Sequence, residues 1–184
     1  MGRPFTVDDL EFMPDDGNVY ELIDGVLFVS PQPGRRHQRA LWRLGELLDD
    51  ACPEDLVVLW PPYVVRMSCD TELRPDLQVA WEVDVEDETV LDAPELVVEI
   101  VDPSTTINDL NNKKVAYARM GVPHYWVLDP TRPSLLAYRL DGGSYQRMAR
   151  VCAEEPFETD DPFPVRVVLA ELLGRRSGGQ EPQS

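Results

Sequence analysis

The sequence predicts an α/β (α+β) domain, a mixed β-sheet flanked by helices. Three observations predict it. Short apolar runs rich in Val, Ile and Leu outnumber helical stretches, and Pro and Gly punctuate them. The run Leu96-Val97-Val98-Glu99-Ile100-Val101 is apolar on both faces except at Glu99, as in a central strand. A helical pattern follows it directly and leads into a further strand, so one helix bridges two strands.

The elements follow in order. Thr6 caps a short helix over residues 6–13, with Asp9 in its first turn. Two strands, 19–23 and 26–30, flank Asp24-Gly25, a strong hairpin signal. Leu41, Leu44, Leu47 and Leu48 recur at helical spacing and predict a helix over 37–51. Strands are expected at 56–59, 63–67 and 77–81, then an acidic loop over 82–92. The bridging helix spans 108–120. Gly121 stands at its C-terminal cap, with Pro123 beyond. The remaining strands are 125–128, 135–140 with 144–151 as a hairpin around Asp141-Gly142-Gly143, and 164–169 before a last helical turn. Residues 1–174 are expected to form a single domain, and 175–184 a disordered polar tail.

Composition narrows the function. The chain has 184 residues, and 43% hydrophobic content suits one ordinary core. A net charge of −17 argues against tight nonspecific binding to nucleic acid, which favours a basic footprint. Three cysteines, Cys52, Cys69 and Cys152, without C-x-x-C spacing exclude a zinc knuckle and fit a reducing, cytoplasmic location. No apolar run is long enough for a membrane span, and the N-terminal segment has no signal-peptide apolar core. Walker, G-x-G-x-x-G and G-x-S-x-G motifs are absent.

Glu99 is the anomaly. A carboxylate in a buried strand needs a partner, a proton or a metal, unless it sits at the strand end and reaches solvent. Asp76, after Pro75 at the edge of another strand, is either a turn residue or the second half of a hard-cation site. Two carboxylates with waters and a phosphate oxygen suit Mg²⁺. Leu110, Lys113, Tyr117 and Met120 form one helical stripe, which turns Lys113 towards the sheet and leaves Lys114 off the stripe. Lys113 then meets an anion such as Glu99, or snorkels to the surface. Arg35, Arg36 and Arg39, with Arg43 one turn on, make a basic cluster around His37. They meet phosphates, or offset nearby acids. Glu21 is a second carboxylate in an apolar strand.

These residues belong to segments with a recognisable order: Tyr20-Glu21-Leu22-Ile23-Asp24-Gly25, Ser30-Pro31 with Arg36-His37-Gln38, Pro75-Asp76-Leu77, the Glu99 strand with Pro103-Ser104, Asp109 with Lys113 and Tyr117, and Gly121-Val122-Pro123 with Tyr125-Trp126. In that order the chain resembles, over residues 6–173, a bacterial restriction-endonuclease family of the PD-(D/E)XK nuclease superfamily, first defined as a domain of unknown function. The resemblance implies a restriction-endonuclease-like fold. It implies Asp76 and Glu99 as ligands of Mg²⁺, or of Mn²⁺. It also implies Lys113 as the catalytic lysine, with Glu21, His37 and Tyr117 in support. The usual superfamily lysine, two residues after the second acid, is replaced here by Val101; the group resembled moves it onto the following helix. The implied reaction is phosphodiester hydrolysis in DNA, with no membrane partner and with a homodimer possible. The competing classes are a catalytically silent nuclease-fold domain that binds a protein partner or effector, and a hydrolase of smaller phosphodiesters.

Overall fold

The structure, a computed structural model, describes residues 3–85, 90–101 and 107–174. The expected disordered tail, Pro103-Ser104 and the centre of the acidic loop lie outside these residues.

A capped turn opens the chain: α1 (Val7–Leu10), with Thr6 and Asp9 forming a capping box. It is shorter than expected, because Phe12 and Met13 donate to carbonyls three residues back and the chain proceeds as turns towards Pro14. The hairpin β1 (Asn18–Ile23) and β2 (Val26–Pro31) turns on Asp24 and Gly25, both at positive φ (50° and 73°), as a type I′ turn requires. Helix α2 (Arg35–Ala51) follows, then β3 (Leu56–Leu59), β4 (Val64–Ser68), β5 (Thr71–Leu73), β6 (Leu77–Trp81) and the two-residue β7 (Val90–Leu91). The short strands β5 and β7 had no sequence signal, since two or three residues cannot display an alternation. β8 (Leu96–Ile100) leads through α3 (Ile107–Met120) to β9 (His124–Asp129). The chain ends with the β10 (Ser134–Asp141) and β11 (Ser144–Cys152) hairpin, the unanticipated β12 (Pro156–Thr159), β13 (Val165–Val168) and α4 (Leu169–Leu173).

The fold is α+β. A six-stranded mixed sheet, β11-β10-β9-β8-β6-β3, forms the middle layer. Only β8 and β9 run parallel within it, joined by α3 as predicted. One face packs with α2 and α4 around Ala40, Leu44, Leu48, Val98 and Trp126. The other packs with α3 and a second sheet, β2-β1-β5-β4-β7, around Leu73, Val97, Tyr117 and Tyr125. Strand periodicity sorts β8 between these cores: Leu96, Val98 and Ile100 face α2, while Val97 and Glu99 face α3. Gly121, at φ 84°, ends α3 and lets its amide and that of Val122 close the last turn.

Candidate functional site

Sheet register brings the two acids together. β6 pairs antiparallel with β8 through Leu77 and Val98, so Asp76, one residue earlier, lies beside Glu99. Asp76 Oδ2 accepts the Ile100 amide at 2.7 Å. Its Oδ1 accepts from His37 Nε2 at 3.0 Å. His37 is buried on the first turn of α2 and lines the same cleft as Asp76.

Glu99 is 6% exposed. Its Oε1 accepts the Tyr117 hydroxyl at 2.8 Å, and both of its oxygens lie 3.2 Å from Lys113 Nζ. Lys113 Nζ is also 2.8 Å from Glu21 Oε1, which accepts the Arg74 amide at the same distance. Lys113 therefore faces the sheet, as its stripe predicted, and bridges Glu21 on β1 to Glu99 on β8. The sequence-predicted Glu21, His37, Asp76, Glu99, Lys113 and Tyr117 all converge here.

The electrostatics follow from crowding. Burial pushes Glu99 up; Lys113 opposes that, Asp76 and Glu21 add to it, Tyr117 opposes it, and the carboxyl ends at about 7. Burial alone would lower the Lys113 ammonium, but Glu21 and Glu99 outweigh it and hold the group above its ordinary range. The Tyr117 phenol is pushed well up by burial and by Glu99 and Glu21. Glu21 and Glu99 thus share the Lys113 ammonium, and Asp76 lies close enough to add to its field.

That donor set fits a divalent cation. Asp76 and Glu99 stand side by side as oxygen donors that would hold such a cation, and a bound cation would relieve the negative excess that raises Glu99. Among the described residues, no three His, Cys, Asp or Glu side chains converge as a complete ligand cage. Mg²⁺ commonly completes its shell with water and substrate oxygens.

The acids line a cleft of ≈160 Å³. Its walls include Phe28 and Val29 of the edge strand β2, Pro33 before α2, and Leu110 of α3. Arg74 also lines it. This cation escaped the sequence reading, although it sits in Arg74-Pro75-Asp76 directly before the first acid.

Two other predicted features lie elsewhere. Arg35, Arg36 and Arg39 line a second cavity of ≈260 Å³ with Pro130 and Leu173. Arg39 donates to the Gly174 carbonyl, and Arg43 to the Leu172 carbonyl at 3.2 Å, so both also help to seat α4. Lys114 leaves the carboxylates as expected, but it is not simply solvated. Its Nζ lies 3.5 Å from the centroid of the Tyr138 ring, a cation–π contact.

No described helix is long and apolar enough to cross a membrane. No curated protein matches the sequence. A solved structure from Anabaena variabilis ATCC 29413, described as "a putative nuclease belonging to DUF820", is similar over 92% of this chain and 98% of that one, with a TM-score of 0.73 and 18% identity. At that identity the likeness speaks for a shared fold. The family model of Uma2, described as "Putative restriction endonuclease", matches residues 7–170. That match spans both acids, Lys113 and every described strand, and the chain therefore belongs to the Uma2 family of nuclease-like proteins.

Proposed function

We propose that this chain is a Mg²⁺-dependent endonuclease, with Mn²⁺ able to substitute, that hydrolyses phosphodiester bonds in DNA. The observation that carries the reading is the unbalanced charge at the head of the cleft: Glu21, Asp76 and Glu99 around the single ammonium of Lys113. A purely structural ion pair has no need of two surplus carboxylates.

In this reading Asp76 and Glu99 hold the cation. When bound, the cation supplies a Lewis acid for the phosphate and lowers the pKa of a neighbouring water. The chain's own groups do the rest. His37 and the Ile100 amide fix Asp76 in place. Tyr117 fixes Glu99, keeping Oε1 aimed along one direction. Lys113, kept protonated by its neighbours, donates to the attacking water or to the phosphoryl oxygen that gains charge. Glu21 holds the ammonium in position, and Arg74 meets a phosphate at the cleft wall.

Calorimetric titration with Mg²⁺ or Mn²⁺, run beside a plasmid-cleavage assay, tests the reading. Saturable metal binding together with metal-dependent nicking is expected. Metal binding with no cleavage of any nucleic acid would leave a silent nuclease-fold module; absence of both would remove the metal site as well.

A further inference from the structure

We infer that the outer face of α2 is a track for single-stranded nucleic acid, with Arg35, Arg36 and Arg39 on its phosphates and Trp42 stacked on a base. The inference rests on the reading of the cleft as a phosphodiester site, and it names the form of substrate.

Charge comes first. Residues 35–43 hold four arginines and no acid, in a chain of net charge −17. Three of them line the ≈260 Å³ cavity beside Pro130 and Leu173. Arg39 donates to the Gly174 carbonyl at the end of α4, which holds its guanidinium at the cavity wall. On so acidic a protein this local basic surface favours an anionic strand.

Trp42 is the second observation. It is 63% exposed, although a tryptophan carries a large apolar surface that normally finds cover. At about 100° per residue, Arg35, Arg39 and Trp42 fall within about 60° of one another on α2. They lie opposite Ala40, Leu44 and Leu48, which enter the core. A flat aromatic surface beside arginines is the platform on which unpaired bases stack.

Placement relative to the cleft selects the single strand. His37 points to Asp76, and Arg35 and Arg39 are each about 200° around the helix from it. Cleft and basic track therefore open on different sides of α2. Yet Pro33 lines the cleft and Arg35 lines the second cavity, so the route between them is the end of one helix. Duplex DNA, with a persistence length of about 150 base pairs, resists so tight a turn. A single strand follows it freely.

The test uses anisotropy of a labelled oligothymidylate of about 12 nucleotides and of a duplex of equal length, in EDTA, with the full chain. The single strand should bind tighter. Trp42→Ala should weaken its binding about tenfold, and Trp42→Phe should restore most of the loss. The triple variant Arg35→Gln, Arg36→Gln, Arg39→Gln should flatten the salt dependence. No effect of Trp42→Ala, equal affinity for the duplex, or equal competition by polyglutamate would overturn the inference. Because binding is read without metal, the two proposals separate. Trp42-dependent binding without cleavage sinks only the nuclease reading, and duplex cleavage indifferent to Trp42 sinks only this one.

Discussion

Glu72 and Glu99 are both buried glutamates on strands, at 3% and 6% exposure, yet their surroundings differ in kind. Glu72 on β5 meets Arg66 from the neighbouring strand, with Arg66 Nε at 2.7 Å and Nη2 on the same oxygen, and Arg74 Nη2 lies 3.8 Å from its other oxygen. One acid is matched by cations, of which Arg66 is the near one and Arg74 also borders the cleft. Glu99 shares one lysine with Glu21 and stands beside Asp76, so negative charge is left over. A balanced pair holds strands together. An unbalanced one, in the reading proposed above, takes a cation. Burial alone does not separate the two cases; the count of charges does.

The largest effect should come from removing the one ammonium in the unbalanced cluster. Lys113→Ala is expected to cut cleavage by about 10²–10³-fold, the scale of losing a placed transition-state donor, and to leave Mg²⁺ binding largely intact. Lys114→Ala removes the same charge from the same helix and should leave cleavage near wild type. Equal losses from both would replace a placed group with general electrostatics.

Breaking the balanced pair should act on folding instead. Arg66→Ala leaves Glu72 buried with only the more distant Arg74, and should cost about 2 kcal/mol of stability in denaturant melts. Stabilisation by Mg²⁺ should be unchanged, because Arg66 does not line the cleft. Loss of the metal response would show that the two clusters are one network.

Glu99→Gln should show the opposite signature. A carboxyl raised to about 7 keeps in the native state a proton that the unfolded chain releases near its ordinary value of 4.5. Metal-free stability should therefore fall as pH rises between those values. The variant lacks this drop. It should match wild type near pH 4.5 and exceed it by about 1–3 kcal/mol above pH 7, while losing stabilisation by Mg²⁺. Parallel pH profiles for the two proteins would remove Glu99 from the strained cluster.

The smallest effect belongs to Lys114 itself. Its contact with the Tyr138 ring should make Lys114→Ala cost about 0.5–1 kcal/mol, visible as a lower melting temperature with normal activity.

Much of this was legible beforehand, and the legible parts share a physical basis. Periodicity is local, so the α3 stripe placed Lys113 correctly against the sheet, and the alternation-free apolar run marked β8 as central. Turn chemistry is local too: Asp24-Gly25 and Gly121 sit where positive φ was needed. Glu99 was conspicuous because a carboxylate in such a run contradicts its neighbours. β5 and β7 were not legible, because strands of two or three residues exist only through their partners, and β12 was not, because it opens on Pro156 and buries only Phe157. Arg74 carried no sequence signal of its own, and it reaches the cleft because it lies on the link between β5 and β6, where the chain passes from one sheet to the other.

The sequence by itself determined the α+β class, most of the elements, the candidate acids and the inward lysine, all of which depend on contacts within a few residues. Tertiary structure decided which acids share a charge. Register between β6 and β8 set Asp76 beside Glu99, and the packing of β1 on α3 delivered Glu21 to the same ammonium. It also decided that Arg66 closes the account of Glu72, and that the arginines of α2 face away from the cleft. Coulomb energy depends on distances through space, and Glu21 and Lys113, far apart in the chain, acquire theirs only when the sheets close.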